Sequence, residues 1–468
     1  MIQLNIHRFP AIVLTLCCVS WFHFMCKGPQ QVVDASGLVL HSVSDTLDQG
    51  GLADTSEVAD EDYFEKEYVR MENHVYQPNV KTILLHQREW PLSTPVIELH
   101  THQQLMLSFD DLNADVEDYY YTVLHCNMDW TVSDLSPTDY INGFIENDIS
   151  DYSFSFNTME EYTHYMVVFP NDDLQLNYSG NYVVKVYLEG QADQPVITMR
   201  FMVVEPLVKV VPQVKHATLI ADRNYKQEVD FTIHYEGYDI LDPFGEVGVV
   251  ITQNNRWDNS ISGLQPTFVR DNELIYDYDE DNVFLAGSEF RNADFKSFRY
   301  KTEEIREFGT DSTGNHVYLL PDEKRSFRRY FSRADINGRF FIKNEDNADD
   351  SSIEADYAHV HFTLPFEAPL IDGNLYILGS LTHGNITQEG KMKYNYEKFC
   401  YEATLYLKQG YYEYQYAYLE DGQKSGNLAF IEGSHYETEN DYSIYIYNTS
   451  LRNNYHQLIA VKNFGSRN

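Results

Sequence analysis

Apolar and polar positions alternate along most of this chain with a period of two. Leu105, Leu107 and Phe109 alternate with Met106 and Ser108. Tyr182, Val184, Val186 and Leu188 alternate with Val183, Lys185 and Tyr187, and Met199, Phe201 and Val203 alternate with Arg200 and Met202. Such runs predict strands with one face in a core. Turn formers separate them at Ser179-Gly180-Asn181, Glu189-Gly190 and Pro195. About seven such runs between 80 and 206 predict a β-sandwich, with Glu205-Pro206 closing it. Further strands are expected near 207–211, 217–221, 229–235, 247–253, 283–287, 298–302, 338–343 and 357–364, with 254–282 irregular. Pro365 and Pro369 mark the next boundary. Beyond it, strands are expected at 401–407, 411–419 and 442–447. The expected class is all-β: three tandem sandwich modules of immunoglobulin-like type, spanning 73–206, 207–365 and 366–468.

The N-terminus departs from this pattern. Arg8 precedes an apolar run from Phe9 to Phe24, about 15 apolar residues against the roughly 20 that a membrane span needs. Residues 1–28 therefore read as an export signal, with an uncleaved anchor as the alternative. Residues 29–72 read as an acidic disordered linker: ten acids and one base lie between Asp34 and Glu67.

Composition narrows the function. The 468 residues hold 34 Lys+Arg and 72 Asp+Glu, a net charge of −38. That field repels nucleic acid and anionic lipid. Aromatics reach 15%, with 37 Tyr and 27 Phe, which suits strands and contact surfaces. Cys126 and Cys400 are the only cysteines after the leader, 274 positions apart; a disulfide between them is compatible with the sequence and not required by it.

Catalytic motifs are lacking. The sequence has no G-x-S-x-G, H-E-x-x-H, P-loop or G-x-G-x-x-G. His100/His102 and His359/His361 each share one strand face, but a third ligand is missing. Asp277, Asp279 and Asp281 start a calcium-loop pattern that fails at Asn282 and Ser288. No catalytic residue, cofactor, metal or small-molecule substrate is assigned. Lys324, Arg325, Arg328, Arg329 and Arg333 form the one basic cluster, read as a loop paired with local acids or as an anion or partner contact. Tyr412, Tyr414, Tyr416 and Tyr418 fall on one face of a strand, opposite Glu413, Gln415, Ala417 and Leu419. Such a stripe is either an aromatic ladder or a binding platform.

A set of ordered strings carries a family resemblance: PVIEL at 95–99, LSFDDL at 107–112, YYYTVLHCNMDW at 119–130, YINGF at 140–144 and FNTMEEYTHY at 156–165. SGNYVVKVYLEG at 179–190, MRFMVVEP at 199–206 and EGSHYETENDYSIYIY at 432–447 follow. Together they resemble the plug proteins of the type IX secretion system of Bacteroidetes-type bacteria. The resemblance implies a non-enzymatic, periplasmic protein associated with the outer membrane, which closes the periplasmic mouth of a large translocon barrel when idle. Contact candidates in the first module are Tyr140, Asn142 and Phe144, with Trp130 beside Asp129. Separately, the last module is similar to early-set immunoglobulin-like domains adjoining starch-acting enzymes, through Leu407-Lys408-Gln409-Gly410-Tyr411-Tyr412-Glu413-Tyr414. The Trp usual in sugar-binding members is missing here, because no Trp follows 257. A secreted carbohydrate-binding protein using the face Tyr412 to Tyr418 is therefore the alternative to the secretion plug.

Overall fold

A computed structural model describes residues 69–346, 348–450 and 452–467. The expected export signal and all but the last four residues of the acidic linker lie outside the described residues. Helix is limited there to three four-residue segments and a short 3-10 turn. The rest is strand and loop, the all-β class that the alternation predicts.

The first sandwich takes residues 74–204. One sheet runs in the order His74–Val75, Pro195–Val204, Gly180–Leu188, Tyr119–Cys126, Asn147–Asp148, with Val96–Glu98 parallel to Pro195–Val204. The facing sheet runs Val80–Gln87, Leu105–Asp111, Thr163–Phe169, Asp151–Phe154. Leu105, Leu107 and Phe109 meet Tyr121, Val184 and Phe201 in the core between them. Register follows from this burial: a slip by one residue would turn Asp110 inward and Phe109 outward.

The second sandwich faces Lys209–His216, Lys226–His234, Glu273–Tyr276 and Phe268–Arg270 against Arg256–Ser262, Val247–Gln253, Asp441–Asn448 and Gln457–Gly465. The third has Gly410–Glu420 at its centre. That strand pairs with Arg291–Asp294, Phe340–Ile342 and Gly373–Leu378. Its partner sheet runs Ile305–Asp311, Gly314–Leu319, Tyr357–Pro365, Cys400–Lys408, Lys393–Asn395.

These pairings redraw the expected boundary at 365/366. Tyr357–Pro365 and Gly373–Leu378 lie on opposite sheets of one sandwich, so that boundary runs through its core. The strands after 440 belong to the second sandwich, where Asp441–Asn448 pairs with Val247–Gln253. The third sandwich is thus inserted into the second. Its two connecting segments run side by side: His435 N–H donates to Gly287 O (2.9 Å), and Tyr436 N–H to Asn224 O (3.0 Å). The cause of the error is physical. Alternation reports which face of a strand is buried, whereas the pairing partner depends on long-range closure.

Three local expectations also change. The apolar pair Leu219-Ile220 sits in a turn, not a strand, and Ile220 is exposed. Arg256–Ser262 is a strand although its sequence is mostly polar. No strand forms at 298–302.

Candidate functional site

The tyrosine stripe is core, not platform. Tyr412, Tyr414 and Tyr416 are buried between the sheets of the third sandwich. The Tyr412 ring stacks between Phe295 and Phe340, with centroids at 5.3 and 5.0 Å. Its hydroxyl donates to Lys408 O (2.5 Å), while the Tyr414 and Tyr416 hydroxyls donate to Asp322 Oδ2 (2.8 and 2.7 Å). Only Tyr418 is half-exposed, and it donates to Asp372 O. The opposite face is buried as well. The Glu413 carboxylate accepts from Ile336 N, Gly338 N and the Tyr411 hydroxyl, and Gln415 Nε2 donates to Ser288 O. Ser288 and the turn 336–338 reach this second face, and alternation within Gly410–Glu420 carries no sign of that cover.

Trp130 is buried between the first and second sandwiches. It meets Trp257 edge-on at 5.1 Å, with the Arg200 guanidinium 4.2 Å above its ring. Cys126, Val183 and Met202 of the first sandwich join Val250, Tyr445 and Tyr447 of the second in the same apolar layer. Tyr140 is buried too, its hydroxyl donating to Val123 O (3.2 Å). Asn142 and Phe144 are exposed. Between them Gly143 has φ +123°, and a Cβ there would sit 2.1 Å from Asp173 O, so only glycine fits. Of the eight candidates, the structure therefore leaves Asn142, Phe144 and part of Tyr418 reaching solvent.

Three ion clusters bear on chemistry. In the first, Lys408 Nζ lies 2.6 Å from Asp110 Oδ2, and neither side chain reaches water. His164 Nδ1 meets Asp110 Oδ1 at 2.6 Å, the Tyr357 hydroxyl donates to Asp110 Oδ2 at 2.6 Å, and Lys408 also donates to Ser352 O. Burial raises the Asp110 carboxyl, but Lys408 and His164 outweigh it and hold it below its usual value. This cluster ties the first sandwich to the third. Both oxygens of Asp110, the Lys408 ammonium and the Tyr357 hydroxyl are committed to partners within the fold.

In the second cluster, Glu432 is buried at the base of the third sandwich. Arg291 Nη2 and Arg325 Nε approach it at 2.9 and 2.5 Å, and Arg291 also reaches Asp322 at 2.7 Å. Burial raises the Glu432 carboxyl; the two guanidinium groups more than offset this and keep it low. Arg328 pairs with Glu323, and Arg333 with Glu304. Most of the basic cluster is thus absorbed by local acids, with Arg329 left facing solvent.

In the third cluster, Glu228, Asp230 and Asp277 form the one metal-like group among the described residues. Lys215 Nζ sits among them at 3.0, 2.5 and 3.1 Å. The ammonium takes the place a cation would fill. Of the histidine pairs, His100 and His102 are exposed, whereas His359 and His361 both stack on His316 (centroids at 5.1 and 5.2 Å), with His361 Nε2 facing His316 Nδ1 at 2.9 Å and His359 Nε2 facing Thr313 O. Cys126 and Cys400 are both buried free thiols, and burial pushes Cys126 up to about 12.

The result is an all-β body of interlocked sandwiches, the first and third joined by a buried ion pair and the first and second by an apolar layer. Residues 80–205, the first sandwich, match the family model for the type 9 secretion system plug protein 1st domain. A crystal structure of a hypothetical protein from Parabacteroides merdae is similar across 85% of this chain and 100% of its own, with 36% identity and a TM-score of 0.83. No curated protein matches the chain. The chain belongs to the type IX secretion system plug family, which is not an enzyme class.

Proposed function

We propose that this protein is a non-enzymatic, periplasmic component of a type IX secretion system that binds the periplasmic mouth of the outer-membrane translocon barrel and closes it when idle. The observation that carries the reading is the match of the whole first sandwich to the plug family's first domain. A pore wide enough for folded cargo leaks unless a rigid body fills its mouth, and a buried ion lock between the first and third sandwiches favours that rigidity. The contact is reversible, which suits a polar rim around exposed aromatics. Among the described residues no helix is long and apolar enough to cross a membrane. The carbohydrate-binding alternative loses its surface, because Tyr412, Tyr414 and Tyr416 are packed inside.

The test is capture. Tagged full-length protein, expressed in its native host and extracted in mild detergent, is expected to bring down a very large outer-membrane barrel protein. Repeated capture without any such protein would sink the reading.

A further inference from the structure

The segment 144–159 turns six large apolar side chains to solvent: Phe144 (65% exposed), Ile145 (40%), Tyr152 (41%), Phe154 (53%), Phe156 (66%) and Met159 (54%). Tyr152 and Phe154 belong to Asp151–Phe154, the outermost strand of its sheet, and all four residues of that strand are exposed. Their rings touch edge-to-face at 5.9 Å. The strand pairs on one side only, Tyr152 opposite Tyr165 and Phe154 opposite Thr163. Ser155 N–H donates across to Tyr162 O, which sets the odd-numbered residues as the bonded ones. The N–H and C=O groups of Tyr152 and Phe154 therefore point outward, away from the sheet. Natural proteins blunt such an edge with Lys, Pro or a bulge. This edge carries no Lys, Pro or bulge and is lined with aromatics instead; it is short, four residues, because the next outward N–H, that of Phe156, is already bonded to Ile353 O of the third sandwich.

The surrounding charge is one-sided. No Lys or Arg stands between Arg88 and Lys185, while that stretch holds seventeen Asp and Glu. Glu146, Asp148, Asp151 and Glu161 are exposed beside the edge. A partner that adds a strand here gains main-chain hydrogen bonds from the open edge, and specificity from the side chains at alternate positions.

We propose that the edge Asp151–Phe154 receives an extended segment of the translocon barrel, apolar at alternate positions and flanked by Lys or Arg, as an added antiparallel or parallel strand. Phe144, Phe156 and Met159 flank that strand. The proposal rests on the reading of the chain as a translocon plug, and locates its contact.

The experiment is quantitative capture of the barrel by the tagged full-length chain from outer membranes. It compares wild type, the double variant Tyr152→Glu/Phe154→Glu, the single variant Phe154→Pro, and a distant control, Phe327→Glu/Phe331→Glu. The control residues are more exposed still but lie on the arginine-rich segment of the third sandwich. The double variant is expected to capture about tenfold less barrel or worse. Phe154→Pro removes one outward N–H while sparing the bonds to the neighbouring strand, and is expected to capture several-fold less. The control is expected to match wild type. Capture by wild type is expected to fall as NaCl rises from about 50 to 500 mM, because the contact pairs opposite charges. Undiminished capture by both edge variants overturns this proposal and leaves the plug reading standing. Salt-insensitive capture overturns the cationic partner. Loss in the control equal to that in the double variant overturns the location. Wild type capturing no barrel sinks the plug reading and this proposal with it.

Discussion

Lys408 and Asp110 show how much a single buried charge commits this fold. Both side chains are dehydrated, so each depends on the other and on the hydroxyl, imidazole and carbonyl groups around them. Removing one partner strands the other charge in a dry site, which costs about 3–5 kcal/mol, whereas replacing both with apolar groups is far closer to neutral. Lys408→Met is expected to destabilise the protein by that amount in urea unfolding, and adding Asp110→Leu to recover part of it. Recovery stays incomplete because His164 and Tyr357 lose their acceptor. If the double variant is no more stable than Lys408→Met, the pair is not the lock described. Two other carboxyls set a pH response. Burial pushes Glu289 and Glu413 each up to about 7. A carboxyl raised in the folded state binds its proton there before the unfolded chain does, so it favours folding at the acid end. That contribution is lost as pH rises from the ordinary value near 4.5 to about 7, and is flat above. Asp110 and Glu432, held low, act in the opposite sense and only below the ordinary carboxylate range. These two carboxyls therefore impose a decline between pH 5 and 7, set against His74, His125, His361 and His383, each lowered to about 4 by burial, which raise stability over most of the same window. Glu289 Oε2 is buried without a hydrogen-bond partner, so an amide fits its place. Glu289→Gln should flatten the decline by about 1–3 kcal/mol. An unchanged slope in urea midpoints across that window would assign the titration elsewhere.

At the scale of elements, the strand Gly410–Glu420 separates what a sequence displays from what it conceals. Its tyrosines alternate, and alternation of large apolar rings states that one face is packed. Tyr416→Ala is accordingly expected to cost about 3–5 kcal/mol, since it empties a fully buried site and unties Asp322. Thermal unfolding checks this, and a loss under 1 kcal/mol would return the stripe to the surface. The strands around Leu105, Tyr182 and Met199 were legible for the same reason. Their outer faces were not. Ser108 and Asp110 are buried against the third sandwich, and Val183 and Met202 against the second, so residues that look like a solvent face are interfaces between sandwiches. Trp130 and Tyr140 illustrate a related limit: an aromatic in a loop reads as a contact residue until the neighbouring sandwich covers it, as for Trp130, or its own core takes it in, as for Tyr140. Phe144 escapes because nothing in the fold packs over it. Lys215 was hidden too, because its three carboxylate partners lie 13, 15 and 62 positions away, where no local pattern joins them.

For the whole molecule, the inserted third sandwich predicts which pieces stand alone. Residues 286–435 contain both of its sheets, its apolar core and the ion cluster of Arg291, Arg325 and Glu432. Their ends meet across Gly287 and His435, so excision leaves two termini already held together. Excision also returns Lys408 to water in place of Asp110, which hydrates a charge rather than stranding it. A fragment cut at the boundary suggested by Pro365 and Pro369 lacks Gly314–Leu319 and Tyr357–Pro365, and carries Asp441–Asn448 and Gln457–Gly465 without the strands they pair with or pack against. Residues 286–435 are expected to give a β-type circular dichroism spectrum and a cooperative melt, and residues 366–468 neither. Conversely, ending the full chain at 435 removes two of the four strands in one sheet of the second sandwich and exposes Val247, Val249 and Ile251. Limited proteolysis of that shortened chain should cleave between 207 and 285 first, with the third sandwich surviving longest. Cleavage that spares this stretch would mean the second sandwich closes without its last two strands, and the insertion would then be a matter of chain path alone, with no bearing on stability.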